Sequence, residues 1–243
     1  MPVFLLSEKI SFPPPHFARK DGLLALGGDL SRERLLSAYR SGIFPWFSPG
    51  EPILWWSPDP RLVLYPKELR VSRSLKKKIK KDVFTITMDT AFARVIELCA
   101  RTRLDRGQLT WIVPDMISAY SELHRSGYAH SVEAWHEGNL AGGLYGLALG
   151  KCFSGESMFT SVTDASKTAF VYLVTFLELL GFELIDCQVA TEHLITFGAR
   201  QIPRKVYLKH LKKTLEAPDL RGNWAFPANL LKELVLTRKQ KVE

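Results

Sequence analysis

Two short stretches of the 243-residue chain hold side chains with chemistry to offer, at a spacing that would bring them together. The first reads Ser154-Gly155-Glu156-Ser157-Met158-Phe159. On extended backbone alternate side chains share a face, so Ser154, Glu156 and Met158 point one way. The second reads Leu184-Ile185-Asp186-Cys187-Gln188. There the same rule pairs Asp186 with Gln188 and turns Cys187 to the opposite side. Two carboxylates, an amide and a methionine around one cleft suit transfer of an acyl group to an amine. A carboxylate can receive or order the proton that an attacking ammonium must lose, and an amide positions a reacting group without titrating. Asp186 and Gln188 would equally serve as a hydrogen-bonded buried pair or a strand-end cap, since ionisable groups in apolar strands are uncommon but not always catalytic.

The elements that must position these stretches can be read from periodicity and caps. Residues 83–88 (VFTITM) alternate as a strand, and Asp89 or Thr90 caps a helix to about residue 101. Pro114 opens a helix that runs to Arg125 and ends at Gly127. Strands are expected over 129–136, 140–149 and 151–154, and a long helix over 165–180, closed by Gly181. A short apolar strand over 183–189, a short helix and a helix over 204–215 complete the chain. The first 65 residues are rich in Pro, Gly and Trp, with one helix over 32–40 capped by Asp29 or Ser31. The expectation is an α+β (mixed α/β) protein: a small irregular N-terminal domain over 1–65 and a larger domain over 66–243, ordered β-α-α-β-β-β-α-β-α. That order resembles the acyl-CoA N-acetyltransferase superfamily, whose mixed sheet splays between its fourth and fifth strands to admit an acyl donor. In such a sheet the two polar stretches would flank the opening.

Charge points to a polyanion. The chain carries 33 Lys and Arg against 25 Asp and Glu, a net +8, and nucleic acid is the first partner to expect. The basic run Arg73, Lys76, Lys77, Lys78, Lys80 and Lys81 could contact phosphates without reading bases, or be a solvated helix face. The tail LVLTRKQKVE is basic and expected to fray. Three cysteines without a close pair fit a reducing compartment, with no disulfide framework and no zinc. The six histidines show no metal spacing, and there is no Walker or dinucleotide glycine motif. No uninterrupted run of 18 apolar residues and no secretory signal are present, so a cytoplasmic protein without membrane contact is expected.

The segments GESMF, LIDCQ, FPWF, WWSPDPR, AHSVEAW, GGLYG and ASKTA, spread from about residue 22 to 207, resemble the motifs of leucyl/phenylalanyl-tRNA–protein transferases. The resemblance implies transfer of Leu or Phe, with Met as a further donor, from aminoacyl-tRNA (Leu-tRNA, Phe-tRNA) to proteins with N-terminal Arg or Lys. The product is a destabilising N-terminus that marks the acceptor for proteolysis. It implies a cytoplasmic protein that needs no cofactor, metal or ATP, and a monomer is expected. Carried over by position, Asp186 and Gln188 would form a proton-relay pair and Glu156 would hold the α-amino group of the donor. Trp111 would stack on the terminal adenine of the tRNA. Leu144, Met158, Phe170, Leu173, Leu177 and Ile185 would enclose the transferred side chain. Phe170, Leu173 and Leu177 fall at i, i+3 and i+7 of the long helix, a stripe that core packing explains equally well. An acyl-CoA-dependent N-acetyltransferase is the competing expectation, but residues 158–164 (MFTSVTD) lack the glycines that close approach to a pyrophosphate requires. A non-catalytic tRNA-binding protein would account for the charge and the tryptophans and leave Glu156, Asp186 and Gln188 unexplained.

Overall fold

The computed structural model describes residues 3–105, 107, 110–225 and 227–238. The N-terminal part contains β1 (Phe4–Leu6), β2 (Leu23–Gly27), α1 (Arg32–Arg40), β3 (Phe44–Pro45) and β4 (Leu54–Trp56), and its strands form one sheet in the order β1-β2-β4-β3. The irregularity expected here is therefore only partial, because these strands are too short to display a period. α1 starts where its caps direct. The Ser31 hydroxyl accepts from the Arg34 N–H, and Asp29 accepts from the Ser31 N–H. Its inner face buries Leu35, Ala38 and Tyr39.

β5 (Arg61–Leu64) belongs to a larger sheet, so the chain passes from one sheet to the other between Trp56 and Arg61. The chain continues through α2 (Arg73–Lys80), β6 (Thr85–Met88), α3 (Phe92–Asp105), α4 (Pro114–Arg125), β7 (Ala129–His136), β8 (Asn139–Leu149) and β9 (Cys152–Thr160). It ends with α5 (Ala165–Leu179), β10 (Leu184–Gln188), α6 (Glu192–Thr196), β11 (Arg200–Ile202), α7 (Arg204–Thr214) and α8 (Ala228–Thr237). The seven-stranded sheet runs β11-β5-β10-β9-β8-β7-β6. From β6 to α7 the expected order holds, with the edge strand β11 added. Two expectations change. β9 extends to Thr160 and takes in all of GESMF. The tail does not fray at 234–237, because Leu231 and Val235 of α8 are fully buried against α5 and α2; residues 239–243 of the basic tail lie outside the described residues.

Each face of the large sheet carries its own core. Alternation along β8 shows this: Leu144 and Ala148 join the core around α5, while Tyr145, Leu147 and Leu149 join the core built with α1, α3 and α4. α5 is apolar nearly all round and lies between the sheet and the α2–α8 layer. Its start sits hard on β8: a Cβ at Gly142 would meet the Ala165 Cβ at 2.6 Å. Among the described residues, no helix is long and apolar enough to cross a membrane.

Candidate active site

β9 and β10 pair in parallel over three positions only, Leu184 with Cys152, Ile185 with Phe153 and Asp186 with Ser154. Past that point β9 continues along β8 while β10 follows β5, and the sheet opens between them. A cavity of about 550 Å³ occupies the opening. Its apolar wall comes from Leu144, Phe153, Met158, Phe170, Leu173 and Ile185, and its polar wall from Glu156 and Gln188. Trp46 and Trp111 stand on the same lining, Trp46 being 43% exposed.

Glu156 is the hub of the polar wall. Its Oε1 accepts from the Tyr39 hydroxyl at 2.7 Å and from the Gln188 amide at 2.8 Å, and its Oε2 accepts from the Tyr120 hydroxyl at 3.0 Å. The two phenol oxygens adjoin each other. Burial pushes the Glu156 carboxyl up to about 7, against the pull of the three donors and with the charge of Asp186 adding to the rise. Burial, with the charge of Glu156 behind it, holds both phenols protonated. α1 supplies Tyr39, α4 supplies Tyr120, β9 supplies Glu156 and β10 supplies Gln188. Four separate elements thus converge on one carboxylate.

Asp186 does not share this wall, contrary to the alternation expected of its strand. Its carboxylate is fully buried and clamped by Arg61, Nε to Oδ1 at 2.7 Å and Nη2 to Oδ2 at 2.6 Å. The Tyr207 hydroxyl donates to Oδ2 at 2.8 Å, and the Gln188 backbone N–H donates to Oδ1 at 2.9 Å. The physical reason is a register shift against β5 between Asp186 and Gln188, with Gln188 in left-handed backbone at φ +61°. The shift breaks the two-residue period, so Gln188 and Cys187 both reach the cavity. Burial, then the nearby charge of Asp186, pushes the Cys187 thiol up. The Arg61 guanidinium, which burial alone would make easier to deprotonate, is held more firmly charged by Asp186.

The remaining expected residues divide. Trp111, Leu144, Met158, Phe170, Leu173 and Ile185 line the cavity together. Leu177 does not: it is fully buried in the core below, one further turn along α5 from Leu173. None of the six basic residues at 73–81 lines the cavity. Lys76 donates from Nζ to the Arg238 carbonyl at 2.6 Å, and Lys78 pairs with Asp164 at 2.6 Å. These two are occupied inside the fold, whereas Arg73, Lys77, Lys80 and Lys81 are exposed. Sequence reasoning missed Tyr39, Tyr120, Arg61, Tyr207 and Trp46. Only the position of Trp46 in FPWF and of Arg61 in WWSPDPR carried a signal. It also passed over an exposed lysine stripe on α7, Lys205, Lys209 and Lys212.

A family model described as leucyl/phenylalanyl-tRNA protein transferase matches residues 63–212, and its N-terminal domain counterpart matches residues 28–59. The chain belongs to the leucyl/phenylalanyl-tRNA–protein transferase family. It is 60% identical over 226 residues to a leucyl/phenylalanyl-tRNA–protein transferase of Desulforapulum autotrophicum, covering 93% of this chain and 99% of the relative. Identity to the protein of that name from Syntrophobacter fumaroxidans is 61% over 215 residues, covering 88% and 92%. Two solved structures are loosely similar. L-PGS from Bacillus licheniformis has a TM-score of 0.41 at 12% identity, covering 88% of this chain and 73% of that one. An aminoglycoside acetyltransferase from an uncultured soil metagenomic sample has a TM-score of 0.39 at 14% identity, covering 49% and 86%. The family's two models meet between residues 59 and 63, where the chain passes from the small sheet to the large one.

Proposed function

We propose that the protein transfers leucine or phenylalanine, and methionine as a further donor, from aminoacyl-tRNA to the N-terminal Arg or Lys of acceptor proteins. The observation that carries the reading is the position of Glu156: a carboxylate set on the wall of an apolar cavity, with only neutral hydrogen-bond donors around it. An α-ammonium beside a leucyl or phenylalanyl side chain fits that pairing of charge and apolar wall. Trp46 and Trp111 offer faces for the unpaired terminal base, a stacking interaction worth about 1–3 kcal/mol. The exposed residues Arg73, Lys77, Lys80 and Lys81, with the α7 stripe, supply sequence-independent phosphate contacts.

The chemistry needs no activation beyond the ester. The acceptor amine attacks the ester carbonyl, a C–N bond forms, the C–O bond to the ribose breaks, and the proton lost by the amine ends on the ribose oxygen. Gln188 directs its Nε2 to Glu156, which leaves its carbonyl oxygen to accept a hydrogen from the incoming amine. Asp186, sealed under Arg61 and Tyr207, acts by position: it fixes the Gln188 backbone and takes no proton itself. A monomer working in the cytoplasm, where charged tRNA is made, completes the reading.

Incubation with radiolabelled Leu-tRNA, Phe-tRNA or acetyl-CoA and an Arg-starting peptide tests it. Label should pass from the first two and not from the third. Transfer from acetyl-CoA alone would replace this reading with an N-acetyltransferase, and tRNA binding without transfer would replace it with a tRNA-binding protein.

A further inference from the structure

A peptide acceptor must bring its amine to Gln188 while its first side chain passes the rim of the cavity. The rim beyond Gln188 is the loop 189–191 and the first turn of α6. Val189, Thr191, His193 and Leu194 line the cavity there. The Thr191 hydroxyl accepts from the Leu194 N–H and fixes that turn. Val189 is 43% exposed and Ile195 is 49% exposed, so the rim offers apolar surface to solvent. Between the two lining residues Thr191 and His193 sits Glu192, exposed and in no ion pair or side-chain hydrogen bond among the described residues.

The other carboxylates around the site are engaged. Glu156 accepts from Tyr39, Tyr120 and Gln188. Asp186 is closed off under Arg61. Asp164 is held by Lys78 and Lys167. Glu51, on the loop after Trp46, accepts from the Ser48 N–H. In a chain of net charge +8, Glu192, flanked by two lining residues and without an ion pair among the described residues, is placed to meet a cation arriving from solvent. We propose that Glu192 selects a cationic first side chain on the acceptor polypeptide. The aliphatic stem of an Arg or Lys lies along Val189 and its charge meets the carboxylate, as long basic side chains do when a stem runs over apolar surface. The inference rests on the aminoacyl-transfer reading above and adds the residue that reads the acceptor.

The test uses the full chain with saturating Leu-tRNA and peptides that differ only in their first residue, Arg, Gln or Glu. An exposed ion pair is worth up to about 1 kcal/mol, so Glu192→Gln should raise KM for the Arg peptide by up to about fivefold with kcat retained. Glu192→Lys adds repulsion: KM for the Arg peptide should rise by about tenfold or more, and the Glu peptide should become a better acceptor than in the wild type. KM for Leu-tRNA should stay constant, and Glu51→Gln should match the wild type. An Arg-to-Gln preference unchanged in Glu192→Lys overturns the inference and leaves the transfer reading standing. Failure of the wild-type protein to transfer to any peptide overturns the transfer reading and the inference with it.

Discussion

Asp186 and Glu156 flank the same opening in the sheet, and the fold treats them in opposite ways. Asp186 is met by a full counter-charge, Arg61 in bidentate geometry, with Tyr207 and a backbone N–H filling its remaining acceptor sites. Glu156 is met by two phenols and an amide, all neutral. A carboxylate balanced by a buried guanidinium has no charge left to offer a substrate. A carboxylate held by neutral donors keeps its need for a cation and meets it only when an ammonium arrives. On the proposed reading, Asp186 belongs to architecture and Glu156 to recognition.

The largest expected effect breaks the architectural half. Arg61→Ala strands the Asp186 charge in the interior, and Asp186→Ala strands Arg61. Removing one member of a buried pair costs about 3–5 kcal/mol. Urea unfolding should show that loss in both variants, with activity falling in proportion to folded protein. An Arg61→Ala protein as stable as the wild type and reduced only in kcat would place Asp186 beside Glu156 in the chemistry.

Glu156→Gln should do the reverse: stability kept, recognition lost. A hydrogen bond to a charged group is worth about 1.5–3 kcal/mol, so kcat/KM for a Leu donor should fall about 10–100-fold above pH 7. The pH dependence has a definite sign. The folded carboxyl titrates at about 7 against 4.5 for the ordinary group. Between those values the folded state holds a proton that the unfolded chain has released. Wild-type stability therefore falls as pH rises across that window, by at most about 1.4 kcal/mol per pH unit, and Glu156→Gln lacks this slope. Donor KM in the wild type should rise as pH falls below 7, because the ammonium needs the ionised form. Tyr120→Phe removes a donor that stabilises that form, so the rise should begin at higher pH. A Glu156→Gln profile with the wild-type shape would return this carboxylate to a structural role.

How far the sequence foretold this contrast depends on the period of each element. The order from β6 to α7 was legible because long strands and capped helices display their periods. GESMF and LIDCQ were legible as the candidate site, and both border the cavity, because polar residues stood in apolar strands. The sealing of Asp186 was not, since it depends on Arg61, which is 125 positions away, and the turn of Gln188 into the cavity depends on a single register shift against β5. Tyr39 and Tyr120 were invisible for a related reason: each looks like an ordinary apolar-face residue of its helix, and only tertiary packing aims their hydroxyls at Glu156. Lys76 and Lys78 read as part of a uniform basic run until Arg238 and Asp164 are seen to engage them.

The division between wall and core also separates two apolar residues. Met158 lines the cavity, while Leu177 lies in the core. Met158→Ala should lower kcat/KM for a Leu donor by about 10-fold or more while the melting midpoint moves little, since on the proposed reading this half-buried side chain borders the space of the transferred group. Leu177→Ala should cost about 2–5 kcal/mol of stability and leave the kinetics of the folded fraction unchanged. If both variants lose stability alone, the apolar wall is core and the cavity does not take the donor side chain.

The smallest effect should fall on Cys187, which stands between Asp186 and Gln188 on the cavity wall. Regular alternation from Ile185, which lines the cavity, keeps Cys187 there and would turn Gln188 away with Asp186. The shift in register brings Gln188 round to the same lining. Cys187→Ala removes one sulfur from a wall that already borders open space, so the cost should stay at about 1 kcal/mol or less. Cys187→Leu is more informative because it adds bulk. In a closed core the added atoms would force neighbours out of place and cost about 1–3 kcal/mol, with no change in donor choice. On the cavity wall they have room at little cost to stability but narrow the space for the larger donor. The expected result is a near-wild-type melting midpoint together with a few-fold fall in the Phe-to-Leu ratio of kcat/KM, within the modest range that pocket volume alone can supply. A destabilised protein with an unchanged ratio would mean that Cys187 is closed core, and its place on the wall of the donor pocket would have to be withdrawn.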